Sequence, residues 1–127
     1  MREIKFRGVR ANSAGMWIFS NGYYFDDINY WFTMPSKNKA IGYAKQRLVI
    51  KESIGQFTGL KDKNGKEIYE GDIIKYKFAI LSGVNYVVFN NGKFELDSGN
   101  RTISNVDEYC EVIGNIYENP ELLEVKE

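Results

Sequence analysis

The sequence predicts a mainly β fold, β-rich α+β in class: a small barrel or half-barrel of short, strongly bent strands with a short C-terminal helix. Three observations carry this. Nine Tyr, eight Phe and many Ile and Val are residue types that suit a pleated, half-buried surface. Gly and Asn-Gly steps punctuate the apolar runs at short, regular intervals, as turns between strands require. Only one strong helix start, Asn119-Pro120-Glu121, stands in the chain, close to its end.

Taken in order, residues 3–9 alternate Ile4, Phe6 and Gly8 against Lys5, Arg7 and Val9, a half-buried strand. Residues 16–20 and 23–25, joined by Ser20-Asn21-Gly22, predict a hairpin. Residues 26–32 are aromatic and read as strand or turn, and 35–39 as a polar loop. Residues 40–46 have modest helical propensity. Strand-like runs follow at 47–51 and 54–58, separated by Glu52-Ser53.

The segment 56–74 is the most tightly specified. An apolar run leads into Asp62-Lys63-Asn64-Gly65, then a second apolar step and a Gly71-Asp72 turn, each glycine standing where positive φ or a sharp bend is needed. Residues 72–80 alternate, with Asp72, Ile74, Tyr76, Phe78 and Ile80 as the core-facing set. A Ser82-Gly83 turn is expected before a strand at 84–89. Asn90-Asn91-Gly92 predicts a hairpin into 93–96, and Ser98-Gly99-Asn100 another turn. Residues 109–117 form the last strand, where Gly114 predicts a bulge or tight bend. Asn119 as N-cap and Pro120 at the first helical position open a helix that buries Leu122 and Leu123. The expected total is eight or nine strands.

A chain of 127 residues with two prolines and no Ser/Gly-rich tract is expected to be one domain. Residues 1–53 would supply N-terminal strands and a short helix, and 54–127 the barrel-like part with the C-terminal helix. No apolar stretch has the length of a membrane helix and the N-terminus lacks an apolar signal region. Together with the single Cys110, this predicts a cytoplasmic protein of prokaryotic or viral source, with no membrane partner.

Composition narrows the chemistry. With no histidine, Ser-His-Asp and Cys-His catalysis and His-containing zinc sites are excluded. One cysteine excludes thiolate clusters built within the chain, and no cofactor is expected. Cys110 reads as a small buried apolar residue. Asp62-Lys63-Asn64-Gly65 copies the start of a calcium loop, but Lys66, Glu67 and Ile73 stand where an oxygen ligand, a glycine and the bidentate glutamate belong, so a tight turn is the expectation. Asp62, Glu67, Glu70 and Asp72 cluster in sequence and leave a carboxylate-based hydrolase as a remote alternative. Interleaved lysines favour a solvated loop.

Net charge is zero but unevenly spread. Residues 35–51 carry Lys37, Lys39, Lys45, Arg47 and Lys51 without an acid, and residues 107–127 carry seven acids against Lys126. With Arg2, Lys5 and Arg7, the basic run makes a candidate nucleic-acid face; the plainer readings are two solvated surfaces or two segments that pair. Trp17, Tyr23, Tyr24, Phe25, Tyr30, Trp31 and Phe32 could build a stacking platform, though about half are needed for a core.

Three blocks carry a resemblance: Arg2-Glu3-Ile4-Lys5-Phe6-Arg7, the run from Gln56 to Ile73, and Val112-Ile113-Gly114-Asn115-Ile116-Tyr117-Glu118-Asn119-Pro120. In order and spacing the chain resembles the YopX family of small phage and prophage proteins, with residues 10–53 contributing little beyond Trp17 and Gly22-Tyr23. The resemblance implies a largely β fold with a barrel-like part and a phage context. It implies no reaction and transfers no functional residue. The expected role is a non-catalytic accessory module that binds another macromolecule, a protein partner or a second copy favoured, with nucleic acid as the alternative.

Overall fold

A computed structural model describes residues 3–13, 15–34, 45–78, 81–97, 101–102 and 109–124. They are mostly β, with twelve strands in antiparallel pairs and two short 3-10 turns. Contacts divide the chain into two compact units, Glu3–Gln56 and Phe57–Glu127.

In the first unit, β1 (Phe6–Val9) pairs with β2 (Trp17–Ser20) from Phe6↔Ser20 to Val9↔Trp17. The next strand, β3 (Tyr23–Phe25), pairs with β4 (Tyr30–Met34), and β4 with β5 (Lys45–Val49). The predicted hairpin between 16–20 and 23–25 is therefore not made. Ser20-Asn21-Gly22 instead carries the chain from one sheet to the next, with Ser20 Oγ 2.6 Å from the carbonyls of both Gly22 and Thr33. A turn sequence makes a hairpin only if its flanking strands choose each other, and here each pairs along its whole length elsewhere. Of the helix expected over 40–46, residues 40–44 lie outside the described residues, while Lys45 and Gln46 belong to β5. The polar loop expected at 35–39 also lies outside them.

A single bridge, Arg10↔Val49, joins the end of β1 to β5, flanked by Ala11 N–H to Leu48 and Ile50 N–H to Val9, both 2.9 Å. A 3-10 turn at Lys51–Ser53 follows. Its buried Ser53 hydroxyl accepts the Val9 amide at 2.7 Å and donates to the Ile50 carbonyl at 2.6 Å. Val9, Phe32 and Val49 are buried. Gly8 lets Phe32 approach: a Cβ there would stand 3.1 Å from Phe32 Cζ.

Strand β6 (Gly55–Lys61) starts against β1 (Phe6↔Gln56, Arg7↔Gly55) and continues into the second unit, where it pairs with β7 (Glu67–Tyr69). The intervening turn is the predicted one, with Gly65 at φ 82°. The largest sheet has the order β11–β10–β9–β8–β12, from β8 (Asp72–Phe78), β9 (Leu81–Asn90), β10 (Lys93–Leu96), β11 (Arg101–Thr102) and β12 (Cys110–Asn115). Asn91 (φ 52°) and Gly92 (φ 79°) form the expected tight hairpin between β9 and β10. Ile68, Ile74, Val87, Phe94, Leu96 and Cys110 form the core of this unit, with Leu60, Tyr76 and Val112 packed on it.

The mainly β expectation holds, and of barrel and half-barrel the closed form is not made: among the described residues the ladders stay open. Ser82-Gly83, expected as a turn, lies inside β9, opposite Lys77 and Tyr76. Gly83 is needed there for packing, since a Cβ would fall 2.7 Å from Tyr76 Oη. The short C-terminal helix is present as a 3-10 turn, Pro120–Leu123; the Asn119 side chain makes no cap bond to it and accepts the Asn115 amide (3.2 Å), and Leu122 stays exposed where burial was expected. Twelve strands stand among the described residues against the eight or nine expected: β4 settles the strand-or-turn reading of 26–32, and β7 and β11 are too short for periodicity to show. The bulge at Gly114 is present as a register shift in the β12–β8 ladder. The turn expected at 98–100 lies outside the described residues.

Candidate binding surface

The β3–β4 hairpin is built by its own turn. Asp26 Oδ1 accepts the amides of Asn29 (2.7 Å) and Ile28 (2.9 Å), and Oδ2 accepts Trp31 Nε1 at 2.8 Å. Asp27 takes φ 77°, a conformation that Asp tolerates better than most residues. The Asn29 amide foremost, then the Trp31 indole and the Ile28 amide, hold the Asp26 carboxyl below its ordinary value. The negative charge thus belongs to the turn, and the hairpin is preset.

Register places Tyr23 opposite Phe32 and Phe25 opposite Tyr30, so these four rings share one face. The face grades from core to solvent. Phe32 is 0% exposed, whereas Tyr23 and Phe25 are 42% and 50% exposed; Tyr24, 39% exposed, stands opposite Trp31 on the other face, and Ile28 at the tip is 81% exposed. Phe25 stacks on Tyr30 at 4.8 Å between centroids, and Tyr23 meets the edge of Phe6 at 5.0 Å. The aromatics read as a platform thus divide: Phe32 is structural, Tyr30, Trp31 and Trp17 are half-buried, and Tyr23, Tyr24 and Phe25 are exposed. Ile28 was missed by sequence reasoning. Its only signal is an apolar residue set between turn formers Asp27 and Asn29.

The basic residues fall as follows. Lys51 Nζ lies 5.9 Å from the Tyr30 centroid, and Arg47 stands opposite Phe32 in the β4–β5 register, so both border the aromatic face. Arg7 lies over the Trp17 ring at 4.9 Å, and Lys5 is within 3.7 Å of Glu3. Lys45 is the first residue of β5. Arg2, Lys37 and Lys39 lie outside the described residues.

Three of the four carboxylates read as a possible acid/base group, Asp62, Glu67 and Asp72, have local work. Buried Asp62 accepts Asn64 and Lys66 amides through Oδ1 and the Val112 amide through Oδ2, all at 2.9 Å. Buried Asp72 accepts the Tyr69 amide at 2.7 Å. Glu67 accepts the Tyr69 hydroxyl at 3.0 Å. Cys110 is buried in the core of its unit. Among the described residues no group of three or more acidic or sulfur side chains is placed to hold a metal ion. No helix among them is long and apolar enough to cross a membrane.

The family described as YopX protein matches residues 5–124, nearly the whole chain. A comparison with curated proteins finds no match. Among solved structures, the chain is similar to the protein EF1440 from Enterococcus faecalis, with 29% identity and a TM-score of 0.62, over 98% of this chain and 100% of that one.

Proposed function

The chain belongs to the YopX family, and from that premise we propose that it is a phage or prophage accessory protein of the bacterial host cytoplasm that acts by binding, without catalysis. Its contact surface is the β3–β4 hairpin, and the occupant is an extended segment of a partner protein. One observation carries this reading. Strand β3 is an edge strand, with β4 as its only sheet neighbour among the described residues, and all three of its residues are exposed aromatics. An edge offers backbone donors and acceptors to an added strand, and flanking rings supply rigid apolar contact area. The local hydrogen bonds of Asp62 and Asp72 support the non-catalytic half of the reading, since both carboxylates serve their own turns.

The test is capture from phage-induced host cells under nuclease treatment, with wild type beside a Tyr24→Lys/Phe25→Lys variant. Nuclease-resistant capture that the variant loses supports the reading. Capture that the variant keeps overturns the assigned surface. A dimer mass by light scattering, lost in the same variant, would replace the partner by a second copy.

A second reading rests on Lys51 beside Tyr30 and Arg7 over Trp17, cations set on rings as in single-strand binders. It expects DNA binding at near-physiological salt that Arg47→Glu/Lys51→Glu abolishes. Binding confined to low salt counts against it.

A further inference from the structure

Within the unit Phe57–Glu127, a cleft of about 530 Å³ opens over β8, lined by Lys63, Lys75, Lys77, Val84, Tyr109 and Glu111 among others. Its size is within the usual range for small-molecule sites. The strand register explains its composition. Lys75 stands opposite Val84 on one side and Glu111 on the other, while Lys77 stands opposite Ser82 and takes the Tyr109 carbonyl through its backbone amide at 3.1 Å. Opposed residues of antiparallel strands share a face. That face of the three strands therefore presents Lys75 and Lys77 in its middle row, with Ser82 and Val84 beside them and Tyr109 and Glu111 across. Lysines two apart on a strand are about 7 Å from each other. Both are exposed, as is Tyr109 at 46%.

The charge there is unbalanced. Glu111 is the one carboxylate among the lining residues; its Oε1 lies 3.9 Å from Lys63 Nζ, and its Oε2 is 3.4 Å from Asn64 Nδ2. Among the described residues no carboxylate lies within ion-pair distance of Lys75 or Lys77. Two cations in a concave site, next to an exposed ring, are complementary to an anion that carries a flat group.

We propose that this cleft binds a nucleoside phosphate unit, with the phosphate on Lys75 and Lys77 and the base stacked on Tyr109. The unit is either a free nucleotide or one residue of a single strand, which share this chemistry. The site is independent of the β3–β4 hairpin: it uses other residues in the other unit, so either assignment can fail alone.

The experiment measures fluorescence polarisation with a labelled oligothymidylate and calorimetric titration with ADP. Proteins are wild type, Lys75→Glu/Lys77→Glu, Lys77→Gln and Tyr109→Ala, each checked for native melting. Wild type is expected to bind in low salt, and charge reversal to weaken binding at least tenfold. If a strand is the ligand, the slope of log K against log salt should fall in magnitude by about 0.7 on losing the one phosphate that the two lysines share. Lys77→Gln should weaken binding several-fold and serves if the double variant does not fold. Tyr109→Ala should weaken binding of the oligonucleotide without changing its salt slope. Full displacement of the oligonucleotide by ADP assigns a free nucleotide, and its retention assigns a strand. No binding of either probe, unchanged affinity in the lysine variants, or equal competition by polyglutamate overturns the proposal.

Discussion

Replacing Asp62 tests how much of the second unit hangs on one side chain. Its carboxylate is 3% exposed and accepts three amides, two within its own turn and one, from Val112, on β12 fifty residues away. Asp62→Ala deletes all three. The amides of Asn64 and Lys66 lie in an exposed turn and return to water, at about 0.5–1.5 kcal/mol each. The Val112 amide lies between strands, and leaving it unmade costs about 1–3 kcal/mol. Because the bonds share one acceptor and are not additive, the expected loss is about 2–4 kcal/mol. At about 3–5 °C per kcal/mol for a chain of this size, the melting midpoint falls by about 6–20 °C. Asp62→Asn should fall between, since it keeps one acceptor oxygen and turns an NH2 group toward a donor.

The same residue predicts a pH dependence. Burial opposes the charge on Asp62, but the amides of Val112, Lys66 and Asn64, with the Lys66 charge, outweigh it and hold the carboxyl below its ordinary value. A depressed folded pKa adds stability that is complete above the unfolded value, about 3.9, and is lost as pH falls through the folded one. Urea unfolding at pH 7, 5 and 3 should show the gap between wild type and Asp62→Asn steady from 7 to 5 and narrowing at 3. A variant within about 0.5 kcal/mol of wild type at pH 7, the usual range for inconsequential surface changes, would refute the reasoning, as would a gap that widens on acidification.

Four further outcomes are expected. Ser53→Ala strands the buried Val9 amide and should cost about 1–3 kcal/mol in urea unfolding, whereas Ser53→Thr, which keeps the hydroxyl, should cost less. Gly71 has φ 92°, and a Cβ there would meet only Ile116 Cγ1 at 3.7 Å, so Gly71→Ala should lose about 1–2 kcal/mol through backbone strain and Gly71→Asn less. Gly83→Ala drives a methyl into Tyr76 and should cost about 1–3 kcal/mol; in a double-mutant cycle with Tyr76→Leu the losses should be markedly less than additive. Because both Asp62 oxygens accept backbone amides, millimolar calcium should leave the melting midpoint unchanged, and a rise of several degrees would restore the calcium-loop reading of 62–65.

Legibility followed range. The turns at 62–65 and 90–92 and the bulge at Gly114 came directly from residue type, since positive φ and side-chain capture of nearby amides are decided within four or five residues. Gly83 misled for the same reason: a glycine in sequence signals a bend, but its need here is set by Tyr76 on the neighbouring strand. The Asn21-Gly22 step misled because a turn sequence cannot say which strands will pair across it. At the binding surface, the aromatic list was readable, but its division into Phe32 in the core and Phe25 outside depends on where the hairpin meets the rest of its unit. Lys63 was read as part of its turn, and Lys75 and Lys77 drew no reading beyond lying outside the core-facing set of 72–80; their convergence appears only in the register of β8 with β9 and β12.

By itself, the sequence determined a β-rich fold, the chemistry of its tight turns, its kinship with the YopX family through three separated blocks, and the exclusion of histidine-dependent catalysis. Tertiary structure alone decided that the sheets stay open, that β3 is an edge, and that lysines from a turn and a strand line one cleft with Tyr109. The physical reason is that backbone preference and turn capture are local energies, whereas strand partnership, burial and charge convergence are set by contacts between residues distant in the chain.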